Sequence, residues 1–120
     1  MKTLHLPLKK EWYEMIERGE KTEEYREIKP YYCNRILNDY PLTIYYWECI
    51  LEKLRDRGNP PQNLIRDYGT RGFDCVRFSY GYTRRTMTFE VESITIGRGR
   101  PEWGAPDCDV FIIKLGRRII

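Results

Sequence analysis

Three segments that predict strands in the C-terminal half of the chain constrain the fold more than any other feature. Residues 74–80 and the segment that begins at Thr86 alternate apolar and polar positions, as half-buried strands do. In the second segment the alternation changes parity near Ser93, which predicts a β-bulge, a feature that bends a strand. Residues 110–115 are almost all apolar and predict a central strand that is buried on both faces.

The N-terminal part of the chain switches between strand and helix periods. Residues 4–8 alternate leucine with other residues, and Pro7 restricts this strand to a sheet edge because proline has no N–H to donate. Residues 9–18 have the three- and four-residue spacing of a helix, and Gly19 stands where a left-handed helix end prefers glycine. Residues 21–28 then predict a second strand, in which the even-numbered side chains share one face.

The middle of the chain predicts helices and a loop. Residues 31–37 predict a short helix, and Thr43 is a candidate N-cap for a longer helix that ends near Arg57. One face of this longer helix is apolar: Ile44, Trp47, Ile50, Leu51 and Leu54. Residues 58–72 contain three glycines and two prolines and predict a loop.

These elements predict an α+β fold in which a small β-barrel has flanking helices. The whole chain of 120 residues has the length of one domain. We therefore expect a single domain over residues 1–120, with a helical and loop insert at about residues 30–72. A ferredoxin-like sandwich is the alternative, but that fold needs a second helix between the last strands.

The composition predicts a cytoplasmic protein without a membrane partner. No apolar run approaches the ~18 residues that a membrane helix needs, and the first ten residues lack the apolar core of a signal peptide. Four scattered cysteines and a single histidine, His5, do not have the spacing of a zinc site. We therefore expect free thiols, no metal and no cofactor.

The formal net charge of +3 hides an uneven distribution of basic residues. Residues 53–100 carry ten arginine or lysine residues against five acidic ones, and nine of the ten are arginine. Arginine binds phosphate through two parallel hydrogen bonds and stacks on aromatic rings. A solvated charged face is the simpler interpretation, but the ten tyrosines of the chain favour a nucleic-acid surface.

The segment Gly19–Arg26 (GEKTEEYR) combines charged residues at a helix–strand junction. It brings Lys21, Glu24 and Arg26 within reach of one another, and each opposite charge favours the ionised form of its neighbour. A desolvated lysine in such a site loses its proton more readily and can act as a base. The alternative is a ladder of surface salt bridges on an exposed strand.

The pattern Gly-x-Lys-x-x-Glu-x-Arg, formed by Gly19, Lys21, Glu24 and Arg26, resembles the signature of the ASCH family, which is related to the PUA RNA-binding domain. The order of the predicted elements is similar along the whole chain, and the short bacterial and phage-type ASCH proteins are the most similar group. The resemblance implies a PUA-like β-barrel with a cleft beside the motif, in which RNA or a nucleotide binds.

Some ASCH proteins are enzymes, which gives the resemblance a second implication. One branch hydrolyses N4-acylated cytidine nucleosides, and other members cleave RNA. The chain is similar to the first branch at Gly19, Lys21, Thr22 and Arg26. It differs at Glu24, where that branch places a threonine nucleophile, and Thr22 lies two positions too early to replace it.

Several residues outside the motif are candidates for RNA contact: Arg77, Tyr80, Arg84, Arg85, Arg98, Arg100 and Trp103. Each has a structural alternative, such as a plain surface position for Arg77 or a hydrophobic anchor of its loop for Trp103. Tyr31 and Tyr32 fit helix packing better than ligand binding.

Three hypotheses about function therefore stand side by side. In a binding module, Lys21 and Arg26 contact phosphate or a base edge, while Glu24 orients them or accepts a base amine. In a hydrolase of modified nucleosides or RNA, Lys21 is the general base or stabilises charge, Glu24 moves a proton, and Thr22 is a weaker candidate. In a protein-interaction domain, the motif only stabilises the barrel.

Overall fold

Strands and helices alternate in the first half of the chain, and strands dominate the second half. The computed structural model describes residues 1–37, 44–58 and 61–120. Its strands are β1 (Thr3–Leu8), β2 (Glu23–Glu27), β3 (Cys75–Tyr80), β4 (Thr86–Arg98) and β5 (Asp109–Arg118). Its α-helices within these ranges are α1 (Lys10–Glu17), α2 (Pro30–Ile36), α3 (Ile44–Asp56) and α4 (Asn63–Tyr68).

The five strands form one mixed sheet in the order β1-β3-β4-β5-β2. β1 runs parallel to β3, and the other neighbouring pairs are antiparallel. The sheet curls into a half-barrel, so the predicted α+β class with a barrel-like sheet is confirmed. β1 lies at one edge, as Pro7 predicts, and β2 lies at the other. The neighbouring strands β3, β4 and β5 follow one another without an intervening α-helix, which excludes the ferredoxin-like alternative.

A bulge in β4 accounts for the change of apolar parity. The pairing with β5 shifts register between Phe89 and Val91 and again between Val91 and Ser93. Because of these shifts, apolar side chains on both sides of the bulge, including Phe89 and Ile94, contact the same core. The predicted bulge near Ser93 is confirmed, and it bends the longest strand of the sheet.

Two apolar clusters lie on opposite faces of β5. The larger cluster, the main core, includes Phe111 and Ile113 and packs beneath the helices. The smaller one, the second cluster, contains Tyr25, Ala105 and Val110, with Trp103 and Ile112 packed against them. β5 lies between β4 and β2 and is buried on both faces, as its sequence predicts.

The helical insert differs from its prediction in one element. Residues 58–72 were expected to form a loop, but they contain α4, which buries Leu64 in the main core. Ile65 and Tyr68 of α4 pack against the same core while remaining partly exposed. The glycines and prolines near α4 made this short helix difficult to recognise in the sequence. Trp47 of α3 is fully buried, whereas Ile44 at the first turn of α3 is 44% exposed. The proposed cap Thr43 lies outside the described residues.

No helix within the described residues is long and apolar enough to cross a membrane.

The connection between β4 and β5 folds back over the second cluster. Its short 3-10 turn, Pro101–Trp103, is followed by Gly104 in the left-handed region at φ +95°. A Cβ atom on Gly99 would lie 2.6 Å from the Tyr25 ring and 2.7 Å from the Ala105 Cβ. The connection therefore packs against β2 only because Gly99 has no side chain.

Replacing Gly99 with alanine should open this contact. We expect Gly99→Ala to lower the free energy of unfolding by about 1–3 kcal/mol, because the added methyl group overpacks a rigid ring. Gly97→Ala is the matched control, since its Cβ would meet Ile112 at an ordinary 3.7 Å. Urea unfolding of both variants measures the difference, and equal stabilities would contradict the close packing at Gly99.

Candidate functional site

Arginine side chains from two neighbouring elements bind the free edge of β1. Arg26 of β2 donates from Nη2 to the Pro7 carbonyl at 2.6 Å, and Arg35 of α2 donates from Nη2 to the His5 carbonyl at 2.8 Å. The two edge strands of the curled sheet therefore approach each other through a guanidinium group and not through a backbone ladder. This opening between β1 and β2 is the location of the site.

The Glu24 carboxylate pairs with both basic residues of the motif. Its Oε1 lies 3.3 Å from Lys21 Nζ, and its Oε2 lies 2.6 Å from Arg26 Nη2. The side chains of Lys21, Glu24 and Arg26 are only 1%, 7% and 11% exposed. The structure thus brings the predicted motif residues together, but as a buried charge cluster and not as a surface ladder.

Arg26 is engaged within the protein through all three guanidinium nitrogens. Nε donates to Glu24 Oε2 at 2.9 Å, and Nη1 donates to the Tyr32 hydroxyl at 2.9 Å. Nη2 is shared between Glu24 and Pro7. Burial works to lower the pKa of Arg26, but Glu24 and Tyr32 outweigh it and raise this pKa above its ordinary value. Arg26 is therefore a fixed cation. Because its nitrogens are already hydrogen-bonded within the protein, it has little capacity to bind a phosphate through two hydrogen bonds.

Lys21 lies beneath an aromatic enclosure. Its ammonium group is 4.7 Å from the centre of the Tyr25 ring and 5.2 Å from that of the Trp12 ring, and it donates to the Trp103 carbonyl. Such cation–π contacts are strongest where the cation is desolvated. Desolvation lowers the pKa of Lys21 below 10.5, although Glu24 opposes the shift.

A cleft of about 450 Å³ opens beside this charge cluster. It lies between the end of β1, the start of α1, β2, the start of α2 and the turn that joins β3 to β4. Glu24 and Arg26 line it, together with further basic and aromatic residues: Lys9, Trp12, Tyr25, Lys29, Tyr32 and Tyr82. This volume is in the range of small-molecule sites. Lys21 is not among the lining residues, because Trp12 and Tyr25 lie beside its ammonium group.

Four of the candidate residues on β3 and the following turn do not line the cleft. Arg77 donates to Thr88 Oγ1 at 3.2 Å on the outer side of the sheet. Arg85 pairs with Glu17 of α1 at 2.9 Å and stacks over Tyr80 at 5.0 Å. Arg84 is exposed in the turn. Arg85 and Tyr80 therefore connect the turn to α1.

The candidates at the end of β4 and in the connection that follows it lie on the other side of Lys21. Arg98 pairs with Asp107 at 2.5 Å, and Arg100 stacks over the Trp103 ring at 4.6 Å. Trp103 packs against the second cluster, and its carbonyl binds Lys21, which agrees with the loop-anchor alternative. Thr22 precedes β2, is exposed and does not line the cleft.

Apart from Glu24 and Arg26, the residues that surround the cleft were not predicted as site residues from the sequence. Tyr32 was assigned to helix packing, yet its hydroxyl receives the Arg26 hydrogen bond. Lys9, Trp12, Lys29 and Tyr82 also line the cleft and were not among the predicted site residues. The sequence contains one signal for Tyr82. An aromatic residue at the tip of a tight turn cannot pack into the core, so its ring is available at the surface.

The cysteines and acidic residues do not suggest a metal site. Within the described ranges, no group of three or more histidine, cysteine, aspartate or glutamate side chains is arranged to hold a metal ion. All four cysteines are free thiols, and burial raises the pKa of Cys33 to about 12.

Comparisons of the chain with protein-family models, curated proteins and solved structures find no match.

Glu24 should be the residue on which the charge cluster depends most. We expect Glu24→Gln to lower the free energy of unfolding by about 3–5 kcal/mol, because it leaves two buried cations without a counterion. Adding Lys21→Met should recover part of this loss by removing one of those cations. Chemical denaturation of the single and double variants measures both effects.

Glu92→Gln is the matched control for that experiment. Glu92 pairs with Lys114 at 3.4 Å on the surface, where both side chains are more than half exposed. Surface pairs of this kind contribute about 0–1 kcal/mol. If Glu24→Gln costs no more than Glu92→Gln, the buried cluster does not stabilise the fold.

The stability that depends on Lys21 should increase with pH. Folded Lys21 releases its proton at a lower pH than the unfolded chain does, so the unfolded state binds more protons as the pH rises toward 10.5. The free energy of unfolding of the wild type, relative to Lys21→Met, should therefore rise in this window. Lys114→Met controls for loss of an exposed lysine. A relative stability that falls with pH would show that Glu24 raises the pKa of Lys21.

Proposed function

We propose that the protein binds RNA or a nucleotide in the cleft, as the resemblance to ASCH proteins suggests, and that its half-barrel is PUA-like. The observation that carries the proposal is the combination of aromatic walls with basic rims around one opening. The cleft has space for a base and its sugar, and it is lined by Trp12, Tyr32 and Tyr82. Flat aromatic surfaces in basic grooves suit stacked bases of single strands.

The charges that line the cleft favour a phosphate-bearing ligand. Lys9 and Lys29 are exposed at its rim, and Arg26 adds a fixed positive charge at its base. Glu24 and Glu27 supply the opposing charges among the lining residues. Phosphate contacts from flexible lysines would hold the backbone, while the buried Glu24–Arg26 pair presents fixed polar atoms to a base.

The Tyr32 hydroxyl provides a further contact for the ligand. It accepts a hydrogen bond from Arg26, so its own proton can be donated to a base oxygen or a phosphate. We therefore revise the roles within the motif. Lys21 pairs with the Glu24 carboxylate, and Glu24 fixes the position of Arg26. Arg26 in turn orients the Tyr32 hydroxyl at the surface of the cleft.

The hydrolase hypothesis has weaker support. A general base must lie within hydrogen-bond reach of the proton that it removes. Lys21 does not line the cleft, because its ammonium group faces two aromatic rings and the Trp103 carbonyl. Thr22 is exposed outside the cleft. Glu24 does line the cleft, but its two carboxylate oxygens pair with Lys21 and Arg26.

Binding of single-stranded RNA should depend on the two rim lysines. We expect labelled RNA to bind at low salt and to lose affinity as salt is added. In the double variant Lys9→Gln/Lys29→Gln, the slope of log K against log salt should become shallower by up to about 1.4, since each phosphate contact on a single strand contributes about 0.7. Fluorescence anisotropy at several salt concentrations measures both quantities.

Lys53→Gln/Lys114→Gln is the matched control, because it removes the same charge at exposed positions that do not line the cleft. An equal change of slope in both double variants would show that binding is a general effect of net charge. Absence of binding by the wild type at low salt would overturn the proposed function.

A further inference from the structure

Among the residues that the structure describes, Tyr82 is the most exposed large hydrophobic side chain. It is 97% exposed at the tip of the turn between β3 and β4. The turn is held by several hydrogen bonds, including Thr83 Oγ1 to the Tyr80 carbonyl at 2.6 Å and Ser79 Oγ to the Gly81 carbonyl at 2.7 Å. A ring projected from such a fixed turn contributes little to folding, but it offers a rigid surface for stacking.

Tyr82 also lines a second depression, which we call the outer groove. This groove has a volume of about 160 Å³ and lies on the other side of Tyr82 from the cleft. Pro7 and Tyr82 line both spaces, so the cleft and the outer groove meet at these two residues. A ligand that fills the cleft can therefore continue past the Tyr82 ring into the groove.

The side chains that form the outer groove lie in neighbouring rows across three strands of the sheet. Pro7, Ser79 and Thr86 form one row across β1, β3 and β4, and His5 and Arg77 lie opposite each other in the next row. The described residues that line the groove include no carboxylate. Arg77 is its fixed cation, and the Ser79 and Thr86 hydroxyls add neutral polar contacts.

We infer that the ligand is a single-stranded oligonucleotide and not a mononucleotide. One nucleotide occupies the cleft, Tyr82 stacks on a base at the boundary, and Arg77 contacts the phosphate of the following nucleotide in the outer groove. This inference rests on the proposed function of the cleft. It predicts that the oligonucleotide crosses β1 from the cleft to the outer groove. It also gives Arg77 a role in binding that the cleft alone does not give it.

A comparison of ligand lengths tests this path. Uridine 5′-monophosphate and the pentanucleotide of uridine are titrated against the wild type and against Arg77→Gln and Thr86→Asp. We expect the pentanucleotide to bind at least about tenfold more tightly than the mononucleotide, since stacking of one further base is enough for such a gain. Both variants should weaken binding of the pentanucleotide and leave that of the mononucleotide unchanged.

The two variants have different risks and matched controls. Arg77→Gln removes a partly buried cation, whereas Thr86→Asp places a negative charge at an exposed position and should leave the fold intact. The controls are Arg66→Gln on α4 and Thr95→Asp further along β4, both exposed and outside the groove. Circular dichroism confirms that each variant is folded.

The outcomes separate this inference from the proposed function. If the mononucleotide binds as tightly as the pentanucleotide, or if the groove variants behave like their controls, the outer groove takes no part and only the cleft proposal stands. If neither ligand binds the wild type, the proposed function fails as well. Selective loss of pentanucleotide affinity in both groove variants supports the strand path.

Discussion

The buried Glu24 carboxylate is the contact on which the arrangement around the cleft depends. It faces Lys21 with one oxygen and Arg26 with the other, and Arg26 in turn binds the Pro7 carbonyl and the Tyr32 hydroxyl. A single anion therefore fixes the helix–strand junction, the approach of the two sheet edges and the position of α2. The cost of burying three charges is tolerable only because each has a partner at short range.

Much of the fold was predictable because apolar periodicity reports directly on which face of an element is buried. The edge position of β1, the bulge in β4 and the two-sided burial of β5 all follow from local patterns. α4 was missed because a short helix with one buried residue, Leu64, leaves almost no periodic signal. The insert was the least predictable part, since its packing depends on contacts distant in the sequence.

The site was predictable only where its residues are neighbours in sequence. The alternation of β2 placed Glu24 and Arg26 on one side, and the structure pairs them at 2.6 Å. Burial of Lys21 could not be predicted, because its enclosure includes Trp103, which is 82 residues away along the chain. The residues that line the cleft could not be predicted for the same reason. Trp12 and Tyr82 are distant in sequence and line one cleft only after the sheet has formed.

The arginine surplus of residues 53–100 also has a different meaning in three dimensions. Arg85 and Arg98 pair with carboxylates, and Arg100 lies over an indole ring, so a large part of the surplus stabilises local structure. Charge that is already paired contributes little to the binding of a polyanion, because the pair must first be broken. Net charge by segment is therefore a weaker guide to a nucleic-acid surface than the charges that remain beside exposed aromatic rings. By this criterion, the rim lysines and Arg77 beside Tyr82 carry more weight than Arg85, Arg98 and Arg100 of the same arginine-rich segment.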